Sequence, residues 1–202
     1  IDQSLFLIQG SGFYEEWKVN RKFAEYNLTP FEALRDEDGD GVLEPVTISK
    51  SDLIRRKYVE KEQVGWLPKL KMSLSASTDL EIGLEIRQFE SDHRGKVMWA
   101  ASLPTGVEPQ HEWYHWYGDK SYYGGYGNFN HVINEKLSMN AGFQIRKVEF
   151  AVDQTIMGAF DQGYNYKVCW TFLNPRLGLS YQLDPATSLY FSFAGAGREP
   201  MD

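Results

Sequence analysis

Residues 174–183, NPRLGLSYQL, and 187–194, TSLYFSFA, decide how the chain is read. In the first run Asn174, Arg176, Gly178, Ser180 and Gln182 alternate with Pro175, Leu177, Leu179, Tyr181 and Leu183. Successive side chains of a strand point to opposite faces, so one face is small or polar and the other greasy. Asp184-Pro185 breaks the run. Leu189, Phe191 and Phe193 then carry the greasy face into a second strand, with Ser188, Tyr190 and Ser192 opposite.

The same two-faced pattern recurs upstream. Val64, Trp66, Pro68, Leu70, Met72 and Leu74 share a face, as do Leu80, Ile82, Leu84 and Ile86, and again Leu137, Met139, Ala141, Phe143 and Ile145. The connections alternate in length. Residues 76–79, 134–136 and 184–188 are short; 19–61, 91–120 and 151–165 are long. Soluble strands cluster around five or six residues, whereas tilted membrane-spanning strands need about 9–11. Long two-faced strands with short turns at one end and long loops at the other predict an all-β, antiparallel transmembrane β-barrel portion of about seven strands. The short turns are then periplasmic and the long loops extracellular. A soluble β-sandwich with its apolar face inward also alternates, so alternation alone leaves both readings open. Strand length and loop asymmetry point to the barrel.

Composition narrows the classes. Aromatics make up 15% of 202 residues and there are 18 glycines, as in β-rich chains. The formal charge of −7 and the lack of a basic patch argue against a nucleic-acid partner. No run of 18 apolar residues signals a transmembrane helix, and no signal peptide is evident. Beginning at Ile1, the chain reads as a processed product or a piece of something longer. Cys169 is the only cysteine, so no internal disulfide forms.

Three stretches carry potential chemistry. His111-Glu112-Trp113-Tyr114-His115 matches H-E-x-x-H, which on a helix puts two imidazoles on one face for zinc, with Glu135 as a third candidate ligand. Its aromatic flanks favour a strand instead, where His111 and His115 lie about 13 Å apart. A zinc hydrolase is therefore the less favoured reading. Asp36, Asp38 and Asp40, with Gly41 and then Glu44, resemble the first two-thirds of a calcium loop, but Thr47 stands where an EF-hand needs a bidentate Glu. Calcium is the candidate ion there, against a plain solvated acidic loop. Trp113, Tyr114, Trp116, Tyr117, Tyr122, Tyr123 and Tyr126 offer stacking surfaces or an interfacial girdle. Trp113, Trp116 and Tyr117 are the ligand-binding candidates among them. Arg87 and Arg146 are expected in the lumen, facing an anionic ligand or plug residues.

The order of short motifs resembles the barrel domain of TonB-dependent outer-membrane receptors. The hairpin FLNPRLGLSYQL…SLYFSFA…GREP carries most of it, and Gln9–Lys18, Ser51–Lys57, Tyr117–Lys120 and Asn134–Ser138 follow in order. The resemblance implies a bacterial outer-membrane location amid lipid, no catalytic residues, and uptake of a scarce siderophore, cobalamin or glycan. It also implies energising by TonB and an inner-membrane complex through a plug domain, of which no trace is seen in residues 1–202. Such barrels close with about 22 strands, so seven make a central portion whose two edges need further strands. A barrel serving as a structural subunit of a surface assembly is the remaining alternative.

Overall fold

A computed structural model describes residues 1–36, 39–158 and 163–200. Its long strands are β1 (Asp2–Lys22), β4 (Lys50–Ser75), β5 (Thr78–Ala100), β6 (His111–Val132), β7 (Leu137–Met157), β8 (Asn165–Asp184) and β9 (Thr187–Ala194). They form one antiparallel seven-stranded sheet in the order β1-β4-β5-β6-β7-β8-β9. A short hairpin, β2 (Phe31–Arg35) with β3 (Glu44–Ile48), stands apart between β1 and β4. The sheet is a meander with β1 and β9 as its edges, the unclosed wall of an all-β barrel.

Register puts the alternation to work. Ile86 lies opposite Trp66 of β4 and Tyr123 of β6, while Arg87 lies opposite Gly65 and Tyr122. One face therefore collects Val64, Trp66 and Leu74, then Ile82, Leu84 and Ile86, then Phe143 and Ile145, Leu173, and finally Leu189, Phe191 and Phe193. All of these are exposed, Leu173 by 66%. Left in water, each forgoes about 1.5–3 kcal/mol. A row this continuous across five strands faces lipid, not a second sheet. The opposite face carries Lys69, Lys71, Glu81, Glu85, Arg87, Asn128, Gln144, Arg146, Asn174 and Arg176, tied across strands by Tyr126 Oη donating to Glu81 (3.0 Å) and Arg176 to Asn128 (3.1 Å). This is the lumen side. Gly83 sits under the Tyr126 ring there, where any Cβ would overlap it.

The strands run further than the alternation suggests. The expected connections at 91–120 and 151–165 are mostly strand: β5 continues to Ala100, β6 starts at His111, β7 reaches Met157 and β8 starts at Asn165. The physical reason is a change of solvent along each strand. Beyond Val64, Ile86, Ile145 and Leu173 the outward positions become Glu62, Gln88, Lys147 and Thr171, and then Glu60, Glu90, Asp92, Glu149 and Asp153. The ladder nonetheless continues unbroken through Glu60–Asp92, Asp92–Tyr117 and Tyr117–Asp153. Apolar-out patterning stops where the bilayer stops, and hydrogen bonding does not. The lower half of each strand spans the membrane and the upper half stands above it.

At the upper rim the β1–β4 connection folds inward. A 3₁₀ turn, Phe23–Tyr26, ends at Asn27, which adopts φ 54°. Asn27 terminates this short helix because its short side chain tolerates the left-handed region. Phe23, Tyr26, Leu28 and Ile48 pack with Leu53, Val97 and Trp113 into a buried cluster. Asn27 Nδ2 donates to the Trp113 carbonyl (2.9 Å), and Phe23 N–H to the Ser49 carbonyl (3.0 Å). This cap is the compact apolar core of the described residues.

The two-zone outer face makes a prediction. Leu84→Arg, in the middle of the apolar band, is expected to cost about 2–4 kcal/mol. Glu62→Arg, just above it, is expected to change stability by about 0.5 kcal/mol or less. Urea unfolding in phosphatidylcholine vesicles measures both, and equal costs would contradict the assignment of the band.

Candidate functional site

Above the membrane band the inward face becomes aromatic. Starting from Arg87, the inward positions of β5 are Phe89, Ser91, His93 and Gly95. Across the ladder they meet Lys120, Gly118, Trp116 and Tyr114 of β6. His93 stacks on Trp116 with ring centroids 3.7 Å apart and planes 7° from parallel. Around this pair lies an open hollow of about 600 Å³ lined by Lys61, Phe89, Ser91, Lys120, Phe150, Val152, Gln154, Tyr164 and Tyr166. A second hollow of about 700 Å³ shares His93, Trp116 and Gln154 and extends upward past Lys57, Tyr14 and Tyr114 towards the cap. The inward wall above the bilayer is thus a continuous strip of rings interleaved with ammonium groups.

Local structure builds this strip. Gly95 lies beneath the Tyr114 ring, and any side chain there would overlap it. A bulge between Gly95 and Lys96 leaves Trp113 as the extra residue of β6, so Trp113 and Tyr114 both turn inward. Gln154 is 8% exposed and fixes the β7–β8 connection: its Nε2 donates to the Ile156 (3.2 Å) and Met157 (3.3 Å) carbonyls, and its Oε1 accepts from Tyr164 N–H (2.9 Å). Tyr164 is held beside the hollow by that contact. Lower down, Arg87 Cζ lies 4.2 Å from the Tyr122 ring centroid, and Lys120 Nζ lies 5.6 Å from those of Tyr122 and Phe150. Such cations over rings are partly desolvated and positioned for an anion or a polarised ring.

Two titrating groups record this environment. Burial pushes the His93 imidazole below its ordinary value, and the Lys61 ammonium adds to the effect against the opposing pull of Asp92. Burial also pushes the Tyr114 hydroxyl up to about 12, with Tyr14 reinforcing and Arg55 opposing.

The expected site residues separate. Trp116 lines both hollows. Arg87 and Arg146 point into the lumen below it. Trp113 is 9% exposed, in edge contact with Tyr26 (5.0 Å); it belongs to the cap core and borders the upper hollow. Tyr117 faces outward, 4.6 Å from the His115 ring, in an acidic hollow bordered by Glu60, Glu62, Glu90, Asp92, Asp119 and Asp153. Phe89, His93, Lys120, Phe150 and Tyr166 were not singled out by sequence. Extending the inward parity from Arg87 would have reached Phe89 and His93.

The H-E-x-x-H run lies on β6, not on a helix. The bulge at Trp113 sends its two histidines to different surroundings. His111 Nε2 lies 2.8 Å from the Tyr26 carbonyl. His115 has Asp92 Oδ1 2.9 Å from Nε2 and Glu112 Oε1 3.0 Å from Nδ1, on opposite sides of its ring. Among the described residues no group of three or more His, Cys, Asp or Glu is placed to hold a metal. In the acidic loop, Asp36 accepts the backbone N–H groups of Gly39 (2.7 Å) and Gly41 (3.0 Å), Asp40 accepts that of Val42 (2.7 Å), and Glu44 opposes Arg35 in the hairpin ladder. Asp38 lies outside the described residues.

An apolar band, a polar lumen and a ring-lined inward wall above the bilayer define the wall of an outer-membrane receptor barrel. The family profile described as TonB dependent receptor-like, beta-barrel matches residues 3–201, and the chain belongs to that family. Its members are outer-membrane transporters, not enzymes. A search of curated proteins found none that matches.

The stacked His93 is directly testable. Its depressed pKa means the unfolded chain binds more protons than the folded one between the two values, so stability rises with pH there. The contribution is fully present above the unfolded value of 6.5 and is lost as pH falls through the folded value. Histidine Cε1–H NMR is expected to show His93 titrating below 6.5 and moving up towards it in Lys61→Gln; titration above 6.5 would refute the packed, neutral ring.

Proposed function

We propose that this chain forms part of the wall of a TonB-dependent receptor in the bacterial outer membrane that captures a scarce siderophore, cobalamin or glycan from outside and passes it through its lumen. The observation that carries this reading is the inward hollow centred on Trp116 and His93, directly above the membrane-spanning part of the strands. Trp116, Phe89, Phe150 and Tyr166 supply faces for sugar rings or aromatic groups. Lys61 and Lys120 supply charge for an anionic ligand, and Arg87 and Arg146 continue that charge into the lumen. Energy would come from TonB and an inner-membrane complex acting through a plug domain, with no bond made or broken by this wall.

The cap supports the reading physically. A packed core at the rim holds Tyr114 and the upper hollow in place without ligand, so less ordering is lost on capture. The soluble-sandwich alternative has to leave the outward leucines and phenylalanines in water, and the geometry around His111 and His115 gives a zinc hydrolase no support.

The test is binding of a ferric catecholate, cobalamin and a branched oligosaccharide to the detergent-solubilised protein by calorimetry. One of the three is expected to bind, and Trp116→Ala is expected to weaken it about tenfold, 1.4 kcal/mol. Tyr117→Ala, on the outward face, is expected to leave it unchanged. Loss through Tyr117 with Trp116 indifferent would move the site to the outer surface. Uptake in cells is expected to vanish when TonB is deleted.

A further inference from the structure

Below the aromatic hollow, residues 195–200 leave the sheet and cross the lumen side. Gly195 N–H donates to the Pro175 carbonyl (3.0 Å) and Gly197 N–H to Asn174 Oδ1 (2.7 Å), both on β8. Gly197 lies so close over Phe172 that a Cβ there would be 2.9 Å from the ring. Glu199 then reaches two strands further. Arg146 Nη2 of β7 donates to its Oε2 at 2.8 Å, and Lys120 Nζ of β6 lies 3.7 Å from its Oε1. The three side chains are 20%, 12% and 15% exposed for Arg146, Lys120 and Glu199.

The fit is incomplete in a specific way. Arg146 Nε is buried and has no hydrogen-bond partner among the described residues. A guanidinium presents a fork that suits two parallel bonds to one carboxylate, and Glu199 takes only one prong. Lys120 Nζ adds its charge at ion-pair distance from the same carboxylate. The same Lys120 borders the hollow beside Phe150. An anion entering from the hollow therefore meets a guanidinium that Glu199 only partly satisfies.

We propose that Arg146 and Lys120 form an anion subsite at the floor of the hollow, that the Glu199 carboxylate occupies it as an internal stand-in before ligand arrives, and that the guest is a planar aromatic ligand bearing a carboxylate. The ring stacks in the hollow, the carboxylate takes both prongs of Arg146, and Glu199 is displaced from it. This rests on the reading of the hollow as the ligand site. Glu199 sets a threshold: a neutral ring gains nothing from displacing it, whereas an anion exchanges one carboxylate for a better-seated one.

The experiment uses ¹⁹F NMR titration of 4-fluorobenzoate and its neutral isostere 4-fluorobenzamide into the full-length, detergent-solubilised protein, with empty micelles as the blank. Glu199→Gln is expected to tighten the benzoate about fivefold, and Arg146→Gln to weaken it about tenfold, with the benzamide within about twofold throughout. Benzamide binding also reports that each variant is folded, and Arg146→Lys, which keeps the charge but loses the fork, is expected to fall between. If both probes bind but Glu199→Gln leaves the benzoate unchanged, or shifts both probes alike, the subsite is overturned and the hollow stands. If neither probe binds even in Glu199→Gln, the hollow reading falls and the subsite with it.

Discussion

Every long strand here depends on one constraint: in hydrocarbon no water is present to pair a backbone N–H or C=O. The ladder from β1 to β9 answers it for the interior strands, pair by pair, over strands of up to 26 residues. Its two edges carry the same demand, so β1 and β9 require neighbouring strands in the bilayer. Once the ladder is fixed, side chains only choose a face. Lipid outside and a wet lumen inside then dictate the alternation of Leu80–Arg87 and Leu173–Gln182.

The ladder does not end with the bilayer. Above Ile86 and Ile145 the outer face becomes acidic and amidic while pairing continues, and aromatic residues gather on the inner face. This inversion is what makes a site. In the membrane zone the aliphatic chains and rings such as Trp66, Phe143 and Phe191 face outward to lipid, and the lumen carries charged side chains with Tyr122 and Tyr126 among them. Above it, rings such as Phe89, Trp116 and Phe150 gather on the concave side, where a ligand from outside first meets the wall. The cap of Phe23, Tyr26, Leu28 and Trp113 rests on the top of the same strip and holds its upper end rigid.

The long-connection reading of 91–120 and the membrane-strand reading of Leu80–Ile86 came from one rule, that greasy residues alternate along a half-buried strand. The rule held where one face met lipid. It was silent where both faces were amphipathic, as from Asp92 to Lys96, although the hydrogen bonds there are just as complete. Trp113 and Tyr117 illustrate the matching limit for the site. Both are loop-like aromatics by composition, and a single bulged residue plus strand parity sends Trp113 into the cap and Tyr117 to the outside. Trp116 alone of the three lines both inward hollows, while Trp113 borders only the upper one.

The sequence by itself determined that this is a two-faced, antiparallel, membrane-scale sheet with short turns at 76–79, 134–136 and 184–188, because period-two alternation and turn residues act locally. It also placed Arg87 and Arg146 in the lumen, since parity along a strand needs no tertiary information. Only the tertiary structure decided that His93 stacks on Trp116, that Gln154 braces Tyr164, and that Glu199 sits between Arg146 and Lys120. Those contacts join residues tens of positions apart, and cross-strand register, bulges and the inward turn of residues 195–200 set them by distances that no local pattern encodes.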